Sequence, residues 1–157
     1  MIWEIQMKII FEYAFLACVV LLAGFTAAAQ PGNHSLLQQV FDQTNQFRRS
    51  KGLSRLQLRD ELNTIAQQHS ENMAGGRVAF GHEGFAQRSA GASTAIHAIR
   101  SFAENVAYGP ASAKEIMNMW KNSPGHRSNM LGHYRYTGIG IAADKQGQIF
   151  YTQVFGG

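Results

Sequence analysis

Three ionisable side chains lie in settings that favour chemistry. His82 lies between glycines, and Glu104 follows the apolar pair Phe102-Ala103. His126 comes directly after Pro124-Gly125, a pair that breaks a helix. Histidine titrates near neutral pH and is the commonest metal ligand, and a carboxylate in apolar surroundings is costly unless it is paired. We therefore expect these three separate segments to converge on one cleft.

A set of two histidines and one glutamate with an open fourth position would suit zinc. His82, His126 and Glu104 are accordingly the candidate ligands for Zn²⁺ or another divalent ion. The sequence contains no H-E-x-x-H motif, so this site requires that the three residues meet in space. Asn105 and Ser123 complete the predicted lining of the cleft.

Two functions follow from this set, and the sequence leaves both open. In the first, the cleft binds a divalent ion together with a further ligand. In the second, the protein is a metal-assisted extracellular hydrolase in which Glu104 is the general base to a metal-bound water. Ser123 beside His126 could serve as a nucleophile or could simply cap a helix. We favour binding over catalysis, because nothing in the sequence indicates an oxyanion hole.

Structural explanations for the histidines also stay open at this point. His69 lies on the apolar face of a predicted helix, where a packed histidine with one hydrogen bond is the simplest interpretation. A histidine in a loop, such as His82, could equally lack any partner. In that case the protein would be a wall-associated or adhesive domain whose histidines are structural.

The N-terminal region predicts export. Lys8 precedes an apolar run from Tyr13 to Phe25, and Ala27-Ala28-Ala29 supplies the small residues of a cleavage site. We interpret residues 1–29 as a signal peptide and residues 30–157 as one domain, secreted to the exterior or the periplasm. The single cysteine, Cys18, lies within the leader, so the mature domain would contain no disulfide bond.

The whole chain has 157 residues and a formal net charge of +4. A small excess of basic residues favours contact with an anionic cell surface, so association with the cell surface is possible. We expect the domain to be a monomer. The basic residues are scattered and match no nucleic-acid-binding motif, and we therefore expect no nucleic-acid partner.

Local patterns predict helices first and a β-hairpin last. Ser35 with Gln38 forms a capping box at the start of one helix, and a second helix runs from about Asp60 to Ala74. Residues 85–88 are expected to form a helical turn, and residues 95–102 a strand or a short helix. Ser112 with Glu115 opens another helix. Alternating residues at 139–143 and 149–155 predict an antiparallel hairpin, and the fold class is therefore α+β.

Five motifs in this order resemble a known family. They are Leu62 to Ala74, Phe80-Gly81-His82, Ala103 to Gly109, Trp120 to Leu131, and the pair of terminal segments Gly138 to Ile141 and Tyr151 to Gly156. Together they make the chain similar to bacterial members of the CAP superfamily, named for cysteine-rich secretory, antigen 5 and pathogenesis-related 1 proteins, which is also called the SCP domain.

This resemblance implies a three-layer α-β-α sandwich with a central antiparallel sheet and a large cleft. In some members the cleft binds zinc, and members have been linked to lipid, glycan and proteolytic functions. The resemblance therefore implies a lipid, glycan or peptide-like ligand for the cleft. His82, Glu104 and His126 match family positions. Two positions depart from the eukaryotic pattern, because Phe150 stands where a histidine is usual and Ser123 stands near a usual glutamate.

Overall fold

Five helices and four strands make up residues 35–109 and 111–157, which are the residues that the structure, a computed structural model, describes. In chain order they are α1 (Leu36–Arg49), β1 (Gln57–Leu58), α2 (Asp60–Ala74), α3 (Phe85–Ala95), β2 (Phe102–Gly109), α4 (Ala113–Asn122), α5 (Pro124–Leu131), β3 (Tyr136–Ala143) and β4 (Ile149–Gly156). The predicted signal peptide, residues 1–29, lies outside the described residues, so the leader and the boundary at residue 30 stay predictions. Within the described ranges, no helix has the length and apolar character that crossing a bilayer requires.

The four strands form one sheet in the order β1-β3-β4-β2. Strand β4 is antiparallel to both β2 and β3. The short strand β1 runs parallel to β3, with Gln57 opposite Tyr136 and Leu58 opposite Thr137. The sheet is therefore mixed, which corrects the expectation of a purely antiparallel sheet. The reason is that two residues of the arm before α2 pass the free edge of β3 in the same direction as that strand.

Helices cover both faces of the sheet, which confirms the predicted three-layer sandwich. Helices α1, α4 and α5 bury one face in a cluster that includes Phe41, Trp120 and Phe155. Helices α2 and α3 bury the other face around Leu62, Ala66 and Val154. Because successive residues of a strand point to opposite faces, each strand contributes alternate side chains to the two clusters.

The capping signals are confirmed at both predicted helix starts. The Ser35 hydroxyl accepts a hydrogen bond from the Gln38 backbone N–H at 3.2 Å. The Ser112 hydroxyl accepts one from the Glu115 N–H at 3.3 Å and donates one to the Glu115 carboxylate at 2.6 Å. Each cap satisfies a donor that the first helical turn would otherwise leave unpaired.

The middle of the chain differs from the sequence prediction. Helix α3 extends from Phe85 to Ala95 and is longer than the expected single turn. Residues 96–101 form neither a strand nor a helix, and strand β2 begins only at Phe102. The sequence pattern did not predict β2 as a strand, because Ala103 to Ala107 are all buried. A strand covered on both faces lacks the polar–apolar alternation that reveals a half-exposed strand.

Two glycines of β3 let α2 lie directly on the sheet. A Cβ atom at Gly138 would come within 2.1 Å of the Leu62 carbonyl carbon, and one at Gly140 within 2.2 Å of the Ala66 carbonyl carbon. The close approach also brings Asn63 into range of the strand, where its Oδ1 accepts the Ile139 N–H at 2.9 Å. These contacts fix the position of α2, and hence of His69 near its C-terminal end.

We predict that Gly140→Ala destabilises the domain by about 3 kcal/mol or more, because the new methyl group meets backbone and cannot be relieved by a side-chain rotation. Thermal unfolding should show a midpoint lower by roughly 10 °C. Gly125→Ala is the matched control, because nothing lies within 4 Å of its Cβ position. That variant should unfold at or slightly above the wild-type temperature. Equal midpoints for Gly140→Ala and wild type would contradict the close packing.

Candidate functional site

Glu104 places a carboxylate inside the protein. Its side chain is 0% exposed, and it lies on the face of β2 that α2 and α3 cover. A buried carboxylate needs partners to replace the water that it has lost. Each partner comes from a segment on this same face.

Arg88 of α3 is the main partner of Glu104. Its Nε donates to Glu104 Oε2 at 2.6 Å, and its Nη2 donates to Oε1 at 2.7 Å. This is a two-pronged pair, the strongest geometry for a guanidinium and a carboxylate. Sequence analysis missed Arg88, because the helix that carries it was predicted only as one turn and no motif marks the residue.

His82 is the second partner of Glu104. Its Nδ1 donates to Glu104 Oε1 at 2.8 Å, while 49% of its side chain stays exposed. The imidazole therefore has one nitrogen turned into the protein and the other, Nε2, available on the outside. The structure brings these two predicted residues together as a hydrogen-bonded pair.

The loop that carries His82 is held on both sides. On one side, His69 Nε2 donates to the Gly81 carbonyl at 2.9 Å. On the other, Arg88 Nη1 donates to the Glu83 carbonyl at 2.7 Å. The backbone before and after His82 is thus tied to α2 and α3, respectively.

His69 is a packed histidine, as its place on the apolar helix face indicated. It is buried, and its Nε2 lies 4.0 Å from Glu104 Oε1. Burial lowers the pKa of His69, an effect that the hydrogen bond to the Gly81 carbonyl partly opposes. His69 therefore serves the site by supporting the loop, with its ring enclosed.

Asn105 positions the other half of the site. Its side chain points to the opposite face from Glu104 and is fully buried. Its Nδ2 donates to the His126 carbonyl at 3.0 Å, and its Oδ1 accepts from Asn129 Nδ2 at 2.9 Å. Asn129 Nδ2 also reaches the Glu104 carbonyl at 3.0 Å. The first turns of α5 are thereby fixed against β2.

His126 lies in the first turn of α5, close to the ring of Trp120, with ring centroids 6.4 Å apart. Partial burial lowers the pKa of His126, and the electrostatic effect of His82 lowers it further by a smaller amount. Within the described ranges, no hydrogen bond engages the His126 ring.

Ser123 lies at the junction of α4 and α5, directly before Pro124. Its carbonyl accepts the Arg127 N–H at 2.8 Å, and its side chain makes no capping hydrogen bond to α5. The Pro124-Gly125 pair therefore both ends α4 and begins α5, since proline suits the first position of a helix.

The predicted zinc set fits these side chains only in part. Both oxygens of Glu104 accept hydrogen bonds from Arg88 and His82, and the side chain is 0% exposed, so neither oxygen is open to the cleft for direct ligation. In residues 35–109 and 111–157, no three His, Cys, Asp or Glu side chains are grouped as a ready metal site. The nitrogen donors that do fit are the outer Nε2 of His82 and the ring of His126, with Glu104 behind His82 as an outer-shell carboxylate.

Exposed aromatic rings border the site. Phe80, two residues before His82, is 48% exposed, and Tyr108, four residues after Glu104, is 46% exposed. Their rings meet edge to face with centroids 4.7 Å apart. This rim offers apolar contact to a ligand beside the polar His82 pair.

Comparisons with known proteins agree with the fold. The chain is 28% identical over 139 residues to the uncharacterized protein YkwD of Bacillus subtilis, covering 83% of this chain and 51% of that protein. It therefore spans about half the length of this curated relative.

Two bacterial structures are similar to this one. One is a cysteine-rich secretory protein from Staphylococcus aureus, with a TM-score of 0.62, 25% identity, and coverage of 77% of this chain and 38% of that chain. The other is an extracellular protein containing an SCP domain from Bacillus anthracis, with a TM-score of 0.62, 28% identity, and coverage of 76% and 39%.

A family profile decides the assignment. The profile of the "Cysteine-rich secretory protein family" (CAP) matches residues 41–155. This range is most of the chain and includes His82, Glu104 and His126. The chain therefore belongs to the CAP family, and within it resembles proteins of the bacterial extracellular type.

Proposed function

We propose that this chain is a secreted binding module whose ligand is held between His82 and His126. The observation that carries this proposal is the hydrogen bond from His82 Nδ1 to the fully buried Glu104. A buried carboxylate of this kind orients an imidazole and leaves its second nitrogen for a ligand. A histidine with only a structural role would need neither the carboxylate partner nor an exposed second nitrogen.

The ligand would make two kinds of contact. Its polar group would meet the imidazoles, and an apolar face would lie on the rim formed by Phe80 and Tyr108. Lipid headgroups, glycans and peptide-like molecules can each present both features. The leader predicted at residues 1–29 and the extracellular descriptions of the bacterial relatives support export of the module.

A divalent ion such as zinc would be held through His82 Nε2 and His126, with Glu104 supporting His82 from behind. When bound, such an ion would act as a Lewis acid in the cleft. The protein's own part is to fix the two rings and to favour the neutral form of His126. The lowered pKa of His126 serves this purpose, because a neutral imidazole is the form that binds a metal.

The hydrolase alternative is less well supported by the geometry. A general base must reach the proton that it removes. Glu104 is enclosed, and Arg88 would have to leave it before the carboxylate could act on water. The binding function makes no such demand on the buried pair.

We predict that zinc binds the wild-type protein and that His82→Ala and His126→Ala each weaken this binding at least about tenfold, because each variant removes one of two nitrogen ligands. Isothermal titration calorimetry at pH 7.5 measures the affinity. His133→Ala is the matched control, because His133 is exposed and distant from β2 in sequence. Unchanged zinc affinity in both site variants would contradict the proposed metal contacts.

We further predict that the domain loses stability as the pH falls from 7 to 5. The folded-state pKa values of His69 and His126 are lowered below the value of about 6.5 expected in an unfolded chain. Between these values the unfolded state binds more protons, so acidification favours unfolding, while above about pH 6.5 the effect vanishes.

Urea unfolding at pH 5, 6, 7 and 8 measures this dependence. His126→Gln removes one of the two groups and should unfold with a smaller loss between pH 7 and 5 than wild type. An equal or larger loss in His126→Gln would show that the acid sensitivity arises elsewhere.

A further inference from the structure

We propose that Arg88 is the positioning residue of the cleft and fixes His82 as the tautomer with its proton on Nδ1. His82 then offers the cleft a lone pair on Nε2, and the group that it selects is a cation or a hydrogen-bond donor. This inference rests on the proposed function, because it specifies what kind of ligand group the same cleft would accept.

The first step is the rigidity of Glu104. Arg88 binds one carboxylate oxygen through Nε at 2.6 Å and the other through Nη2 at 2.7 Å. Two parallel hydrogen bonds from one planar group fix the carboxylate in the plane of the guanidinium. The carboxylate cannot rotate about its last bond without losing both contacts, so the direction in which Oε1 faces His82 is set by Arg88.

The second step is the proton on His82. A carboxylate that is paired with a guanidinium is an acceptor only. Since His82 Nδ1 lies 2.8 Å from Glu104 Oε1, Nδ1 must carry the proton in this hydrogen bond. A neutral imidazole has one proton, so its Nε2 then carries a lone pair. The exposed nitrogen of His82 is therefore an acceptor or a metal ligand whenever the ring is neutral.

The third step is the backbone of the His82 loop. Arg88 uses its remaining terminal nitrogen, Nη1, to donate to the Glu83 carbonyl at 2.7 Å. Gly84 closes this turn with a φ of 77°, and a Cβ atom there would come within 3.1 Å of Arg88 Nη1. One guanidinium thus fixes both the partner of the His82 ring and the peptide that follows His82.

A simpler role for Arg88 would be to balance the buried charge of Glu104. Lysine can balance a charge, but it is a single point and cannot reproduce the two-pronged geometry. The variant Arg88→Lys therefore separates charge balance from positioning. Positioning predicts a change at His82, whereas charge balance alone predicts none.

The experiment reads the His82 tautomer by ¹⁵N NMR of the imidazoles at pH 8, above the normal range of histidine titration. Wild type should show His82 predominantly protonated on Nδ1. Arg88→Lys should show a mixture of the two tautomers. If zinc binds, its affinity should fall about 10- to 100-fold in this variant, the usual effect of losing an outer-shell partner.

Arg55→Lys is the matched control. Arg55 also pairs with a carboxylate, that of Asp42 at 3.2 Å, but both side chains are largely exposed and belong to the α1 side of the molecule. This variant should leave the His82 spectrum and zinc affinity unchanged. Circular dichroism checks folding, and if Arg88→Lys fails to fold, Arg88→Gln replaces it, since an amide can donate to Glu104 but cannot form the two-pronged pair and leaves the acceptor of His82 in place.

The outcomes separate this inference from the function on which it rests. A wild-type His82 protonated on Nε2, or an Arg88→Lys spectrum identical to wild type, would overturn the positioning role even if zinc binds. An Nδ1 tautomer that depends on Arg88, in a protein that binds no zinc, would support positioning and overturn the metal contact alone.

Discussion

The buried carboxylate of Glu104 is the constraint on which the site depends. A charge with no access to water must be paired, and loss of one partner of such a buried pair typically costs about 3–5 kcal/mol. Glu104 meets this need with Arg88 of α3 and His82 of the preceding loop. The requirement to pair one charge thus gathers separate segments of the chain at one point of the sheet.

Strand β2 turns this local pairing into a two-sided site. It is an edge strand of the sheet, and its neighbouring residues Glu104 and Asn105 point to opposite faces. Glu104 reaches His82 on the α2–α3 side, while Asn105 reaches the His126 backbone on the α5 side. Two adjacent residues therefore connect the His82 ring and the His126 backbone to the same edge strand. An insertion or register slip within β2 would exchange the two faces and separate the histidines.

Much of the fold could be predicted from the sequence, because capping boxes and apolar periodicity are local signals. Helices α1 and α2 and the β3–β4 hairpin are of this kind. Strand β2 could not be predicted, since burial on both faces removes its alternation. The parallel pairing of β1 with β3 has no local signal either, because it depends on how the chain passes the edge of the sheet.

The sequence indicated His82 and Glu104, which the structure joins by a hydrogen bond, but it did not indicate the other contacts of Glu104. His82, Glu104 and His126 were found from their surroundings and from the family resemblance. Arg88 was missed, because an arginine on a helix is usually solvated, and only the structure shows it turned inward to Glu104. Because of that one contact, we propose Glu104 as the support of His82 and not as a direct ligand or base.

The packing of α2 on the sheet is separate from the side chains at the edge of β2. Gly138 and Gly140 seat α2 on the sheet, and this contact is independent of the residues at the edge of β2. Cleft side chains can therefore change without disturbing the packing that carries them. In this chain, Phe150 lies at the start of β4 beside the exposed Tyr108, with ring centroids 5.9 Å apart. It contributes an aromatic ring where eukaryotic relatives are expected to have a histidine.

Zinc coordination is tested most directly by a crystal structure of the CAP domain grown with zinc, with anomalous diffraction recorded at the zinc edge. We expect a zinc peak within bonding distance of His82 Nε2 and of the His126 ring, with Glu104 still paired to Arg88. A zinc ion bonded to the Glu104 carboxylate, with Arg88 turned away, would contradict it, as would two imidazoles facing different sides of the molecule.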